Sequence, residues 1–118
     1  MAATMAGMKL RLAGAEVRLR LSRLEAARFG AGERIEERTP VGLAYSLHGI
    51  PGLAGGSVRF EDGEIAFRIP LEQAAPWSRS EAEGLYYQDG EVAIAVEKDY
   101  ECTPGSDPEA FPNPRAQC

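Results

Sequence analysis

Apolar and polar residues alternate with a period of two along Leu10, Leu12, Val17, Leu19 and Leu21, which is the pattern of a half-buried β-hairpin. A two-residue turn at Gly14-Ala15 sets Leu12 opposite Val17 and Leu10 opposite Leu19. The same alternation returns 48 positions later. There Val58-Arg59-Phe60 and Glu64-Ile65-Ala66-Phe67-Arg68-Ile69 flank Asp62-Gly63, a favoured type I′ turn pair, so Phe60 faces Ile65 and Val58 faces Phe67. Ala26-Ala27 fall on Ala74-Ala75 at this offset, and Phe29 falls on Trp77. At offset 49 the run Leu43 to Leu47 meets Val92 to Val96. Agreement of apolar positions over so much of the chain indicates an internal duplication.

Each unit therefore reads as two strands, a short helix and two more strands. Ser22-Arg23-Leu24-Glu25 is a capping box that starts a helix of about two turns, ended by Gly30 or Gly32. In the second unit Pro70 opens a helix that Pro76 restricts to one turn, Leu71 to Ala75. Glu33 to Thr39 with Leu43 to Leu47, and Leu85 to Gln88 with Glu91 to Glu97, form the closing hairpins. The expected fold class is α+β and mainly β: two tandem ββαββ repeats in one pseudo-two-fold compact domain. Its boundaries are a disordered N-terminal extension 1-7, a domain 8-102 made of repeats 8-49 and 56-97 joined by linker 49-56, and a Pro-rich acidic tail 103-118. Phe29, Phe60, Phe67 and Trp77 are the expected aromatic core, while Tyr86 or Tyr87, near Tyr100, is a candidate partner surface.

At 118 residues, 44% hydrophobic and 26% charged, the chain has the proportions of one globular domain. No apolar run approaches the roughly 20 residues of a spanning helix, and the uncharged start lacks the order of a secretory signal, so the expected address is the cytoplasm. Cys102 and Cys118 are expected to be free thiols there, with a disulfide as the alternative. The net charge of −5 is unevenly placed. Residues 1 to 30 hold six basic and two acidic side chains; residues 81 to 109 hold nine acids and one base, Lys98.

The hairpin register sets Arg11 opposite Arg18 and Lys9 opposite Arg20, a ladder of like charges costing up to about 1 kcal/mol per pair. Three things can offset it: hydration, docking of acids such as Glu97, Asp99, Glu101, Asp107 or Glu109, or phosphates of a nucleic acid. Glu97, Asp99 and Glu101, with Cys102, are also candidate metal ligands, although no glycine-centred calcium loop surrounds them. His48 is the single histidine, and Cys102 with His48 is the one pair suited to nucleophilic catalysis. No nucleotide-binding or metallohydrolase motif is present, and no cofactor is expected.

Two resemblances add to this reading. The hairpin, the helix entered at Ser22 or Pro70, and Gly30, Gly32 and Glu33 in unit one, with Asp89-Gly90 in unit two, resemble swapped-hairpin domains of the AbrB and MazE type. That resemblance implies interleaved hairpins, a pseudo-dimer that is monomeric in solution, and nucleic-acid contact through Lys9, Arg11, Arg18 and Arg20. Met8 to Arg11, Glu36 to Thr39, Glu97 to Cys102 and Phe111 to Pro114 resemble landmarks of an uncharacterised family of short bacterial proteins. It implies no activity, and it implies that the tail belongs to the domain. The function expected is a non-enzymatic cytoplasmic binding or regulatory module with a protein partner. The alternatives are an AbrB-like nucleic-acid regulator, and a small metal-binding protein or enzyme using Glu97 to Cys102.

Overall fold

The alternating pattern becomes eight strands and two helices in the computed structural model, which describes residues 7–101 and 107–112. The order is β1 (Lys9–Ala13), β2 (Glu16–Leu21), α1 (Arg23–Gly30), β3 (Arg34–Arg38), β4 (Ala44–Ile50), β5 (Ser57–Glu61), β6 (Glu64–Pro70), α2 (Leu71–Ser78), β7 (Gly84–Asp89) and β8 (Val92–Lys98). The fold is α+β, mainly β, with two similar halves. Both expected hairpin registers are present: Arg11 faces Arg18, Leu12 faces Val17, Phe60 faces Ile65 and Val58 faces Phe67. Asp62 and Gly63 both take positive φ, 52° and 77°, as a type I′ turn requires.

Neither half closes on itself. One sheet runs β1-β2-β8-β7 and the other β3-β4-β6-β5, so each combines a hairpin from either repeat. The joins are the parallel pairs β2 with β8 and β4 with β6. Equivalent backbone bonds secure both joins: Ala93 N–H donates to Ala15 O at 2.8 Å and Ala44 N–H to Gly63 O at 3.0 Å. Parallel pairing needs a crossover connection: residues 51–56 with β5 supply it between β4 and β6, and everything from α1 to β7 lies between β2 and β8.

One face of each sheet supplies the core. Leu19, Leu21, Leu47, Phe67, Ile69 and Val96 are fully buried, together with Phe29 of α1, and Trp77 of α2 is nearly so. Period-two alternation sends the charged residues of the same strands outward. Two expectations change. Phe60 is 67% exposed, and its repeat mate Leu12 is 55% exposed, because both lie next to the hairpin turns, past the end of the packed interior. The second helix is also longer than one turn, continuing through Pro76 to Ser78. Pro76 removes one i to i−4 bond, whose carbonyl acceptor is on exposed Glu72, while continuation buries Ala74 and Trp77. Tertiary packing outweighs the lost bond.

Helix α1 begins as the capping box dictates. Glu25 N–H donates to Ser22 Oγ at 3.2 Å and Ser22 N–H donates to Glu25 Oε1 at 2.9 Å. Gly32, with φ of 89°, turns the chain after it. Another of its free first-turn amides, Arg23 N–H, donates to Glu109 O at 2.9 Å. The segment 107–112 therefore lies against the start of α1, and no described helix is long and apolar enough to cross a membrane.

Candidate binding site

Lys9, Arg11, Arg18 and Arg20 share the outer face of the first sheet, as the hairpin register requires. Parallel pairing then sets Glu97 beside Arg20. Glu97 Oε1 lies 3.5 Å from Arg18 Nε and 3.8 Å from Arg20 Nε, and Glu97 Oε2 accepts the Tyr86 hydroxyl at 2.8 Å. Arg18 also meets Glu16 at 3.1 Å, and Lys9 meets Asp99 at 2.8 Å. Glu16 and Glu97 hold the Arg18 guanidinium still more firmly protonated than usual. Three cations of the ladder are thus compensated by carboxylates of the same chain, as the intramolecular option among the three expects. Arg11 is exposed and has no ion pair among the described residues.

The acids considered as metal ligands are divided by this arrangement. Glu97 serves two arginines and a tyrosine, and Asp99 serves Lys9. Glu101 faces the Asp107 amide at 3.5 Å, while Cys102 and Cys118 lie outside the described residues. Among the described residues no three His, Asp or Glu side chains are grouped to hold a metal ion. His48 stands on the outer face of the other sheet, between Arg34 and Arg68 in the register.

A different position breaks the strand pattern. Ile94, Val96 and Lys98 follow one another on the core-facing side of β8, so a lysine occupies a place where alternation calls for an apolar residue. Lys98 is only 3% exposed. Its Nζ donates to Ser80 O and sits 5.2 Å from the Trp77 ring centre and 5.4 Å from that of Phe111. No carboxylate among the described residues comes within ion-pair distance. Burial pushes the Lys98 ammonium below the usual lysine range, and the charge of Glu81 opposes this in part.

The segment after β8 completes the surroundings of that amine. Asp99 N–H donates to Leu21 O at 2.8 Å, Phe111 N–H to Asp99 O at 2.8 Å, and Glu101 N–H to Phe111 O at 2.9 Å. Tyr100 and Phe111 form a parallel bridge with their rings 6.1 Å apart, and the Arg23 guanidinium donates to Pro108 O. Between this segment and the end of β8 opens a cleft of about 330 Å³ lined by Ser80, Glu81, Lys98, Tyr100, Phe111 and Pro112. Aromatic walls around one cation and a carbonyl suit a small, mostly apolar ligand with an anionic end. Reading charge alone passes Lys98 over as a lone base among acids; following the alternation of β8 two residues past Val96 finds it.

The landmarks at Met8, Glu36, Glu97 and Phe111 now lie within one matched span. The chain belongs to DUF7009, a family of unknown function. The family model matches residues 8–115, which takes in all eight strands, both helices and every residue lining the cleft. No curated protein and no solved structure gives a significant match to the chain.

Proposed function

We propose that this protein is a non-enzymatic binding module that engages a protein partner through the cleft around Lys98, with the cytoplasm as its address. One observation carries the reading: a buried lysine without a carboxylate partner among the described residues opens onto a cleft with aromatic walls. Burying an amine without a counter-charge opposes folding, and such an arrangement is typical of sites that complete their electrostatics with a ligand. The test is a library of short peptides titrated into the full chain, read by the amide signals of Ser80, Glu81 and Tyr100. Peptides that move these signals, and lose at least about tenfold in affinity with Phe111→Ala, support the reading. A library in which no member moves them overturns it.

The nucleic-acid reading rests on Arg11 and on the outer faces of Lys9, Arg18 and Arg20. Three of those four cations already meet carboxylates, so phosphates gain little by replacing them. Duplex binding that weakens about 150-fold between roughly 50 and 200 mM salt, and is lost with Arg11→Glu, favours that reading over the cleft.

A further inference from the structure

The ammonium of Lys98 has three N–H donors and one hydrogen-bond acceptor among the described residues, the carbonyl of Ser80. The Trp77 and Phe111 ring faces stabilise its positive charge electrostatically, yet they offer no lone pair and no counter-charge. Glu81 at the rim acts on it through its charge alone, with no ion pair to Lys98 among the described residues, so an anion bound in the cleft would be its direct partner. The kind of anion follows from the rest of the cleft.

Tyr100, Phe111 and Pro112 present apolar surface, so the ligand's body is apolar or aromatic. The volume of about 330 Å³ lies at the small end of ligand pockets, enough for one side-chain-sized group with its head. Glu81 stands at the exposed rim in a chain of net charge −5, and residues 81 to 109 carry nine acids. A phosphate dianion meets that repulsion about twice over and a polyanion more than that. A single carboxylate meets it once and gains a desolvated, charge-assisted hydrogen bond to Nζ.

We propose that the cleft binds a monocarboxylate attached to an apolar or aromatic body, with Lys98 Nζ as the carboxylate's partner and Tyr100, Phe111 and Pro112 as the walls for the body. The proposal rests on the cleft being the binding site. The C-terminal residue of a partner peptide and a free aryl-alkyl acid share this chemistry, and the test separates them.

Trp77 is the chain's single tryptophan and lies under the same ammonium, so its emission reports directly on occupancy. N-acetylphenylalanine, its C-terminal amide, 3-phenylpropionate and inorganic phosphate are titrated into the full chain, with amide spectra of Ser80, Glu81 and Tyr100 as a second readout. N-acetylphenylalanine is expected to give a saturable change, and its amide to bind at least about tenfold more weakly, the loss of one charge-assisted hydrogen bond. Lys98→Met should remove the preference of acid over amide. Glu81→Gln, on the exposed rim, should raise the preference for acid over amide several-fold, which keeps the idea testable if the Met variant does not fold.

A carboxylate that binds only as the N-acetylated residue points to a peptide terminus. Equal affinity for 3-phenylpropionate keeps the chemistry and assigns it to free acids. Equal affinity for acid and amide overturns the monocarboxylate assignment while leaving the cleft as a binding site, and phosphate binding more tightly than the acid overturns it too. Silence from all four probes overturns the monocarboxylate assignment, and the peptide library then decides separately whether the cleft is a binding site.

Discussion

Phe29 and Trp77, which hold equivalent positions in the two repeats, meet each other edge to face with ring centres 6.0 Å apart and planes at 68°. The contact places the pseudo-two-fold relation between α1 and α2. One residue further on, the equivalent pair is Gly30 and Ser78, and it is asymmetric in a way the packing requires. A Cβ on Gly30 would fall 2.6 Å from Ser78 Cβ and closer still to its Oγ.

Gly30→Ala is therefore expected to destabilise, although alanine favours a helix over glycine by about 1 kcal/mol. Overpacking of about 1–3 kcal/mol outweighs that gain. The double variant Gly30→Ala with Ser78→Gly moves the small residue across the axis and should recover most of the loss. Urea unfolding of the two variants checks both steps; full stability in the single variant would show that α1 and α2 have room to separate.

Glu97 is the counter-charge of the outer ladder, so Glu97→Gln leaves Arg18 and Arg20 facing Arg11 and Lys9 with less compensation. A loss of about 2 kcal/mol is expected, part of it recovered in about 1 M salt, where screening shortens the range of repulsion. The Tyr86 ring is largely exposed, but burial of its hydroxyl and the adjacent Glu97 push the phenol up to about 12. The unfolded chain gives up that proton near pH 10 while the native state keeps it. Tyr86's contribution is thus fully present below about pH 10 and is lost as pH rises through about 12. Ultraviolet titration of the tyrosines should find this late ionisation in the native protein and move it toward 10 in Glu97→Gln.

Glu25 illustrates a capping residue placed under cover. It is 7% exposed, and burial raises its carboxyl above the ordinary range, against the lowering effect of its bonds from Ser22. A raised carboxyl opposes folding at neutral pH, and the opposition disappears as pH falls below its unfolded value of about 4.3. Glutamine at this position keeps the oxygen that accepts Ser22 N–H without the charge. Glu25→Gln should raise stability by about 0.5–1 kcal/mol at pH 7, with no gain near pH 3, whereas Glu25→Ala should lower it by about 1 kcal/mol. Chemical denaturation at the two pH values separates these outcomes.

Registers and caps were legible because they depend on neighbours in sequence. Asp62-Gly63 and Gly14-Ala15 fix their hairpins locally, and Ser22 with Glu25 satisfies its own helix end. Other features depend on elements far apart in the chain. Phe60 alternates like a core residue, yet no described residue covers the far end of its hairpin, and Pro76 ends a helix in isolation but not one that buries Trp77 against Phe29. The compensation of Arg18 and Arg20 by Glu97 required the parallel β2–β8 pairing, which no local pattern specifies. Lys98 was hidden for a related reason. Lysine is ordinarily a surface residue, and only the docking of Phe111 above β8 turns it into the buried cation of a cleft.

Lys98→Met separates two roles for that cation. If the amine served only to fasten Trp77 and Phe111 together, its removal would cost the cation–π contacts and the bond to Ser80 O, and the variant would be less stable. Burial pushes the ammonium downward and the charge of Glu81 opposes this in part, so the charged amine carries a desolvation cost in the folded chain. A lowered lysine makes stability rise with pH between its folded and unfolded values, because there the unfolded chain binds the extra proton. Methionine fills a similar volume without that penalty, so the variant should be more stable by about 1 kcal/mol while losing the cleft's preference for carboxylates. The stability gain should shrink as pH rises toward the ordinary lysine value, where the unfolded chain also loses the proton. Thermal unfolding at pH 7 and about pH 10, with acid binding measured on the same samples, checks this; a less stable Met variant would assign Lys98 to the architecture of the docked segment.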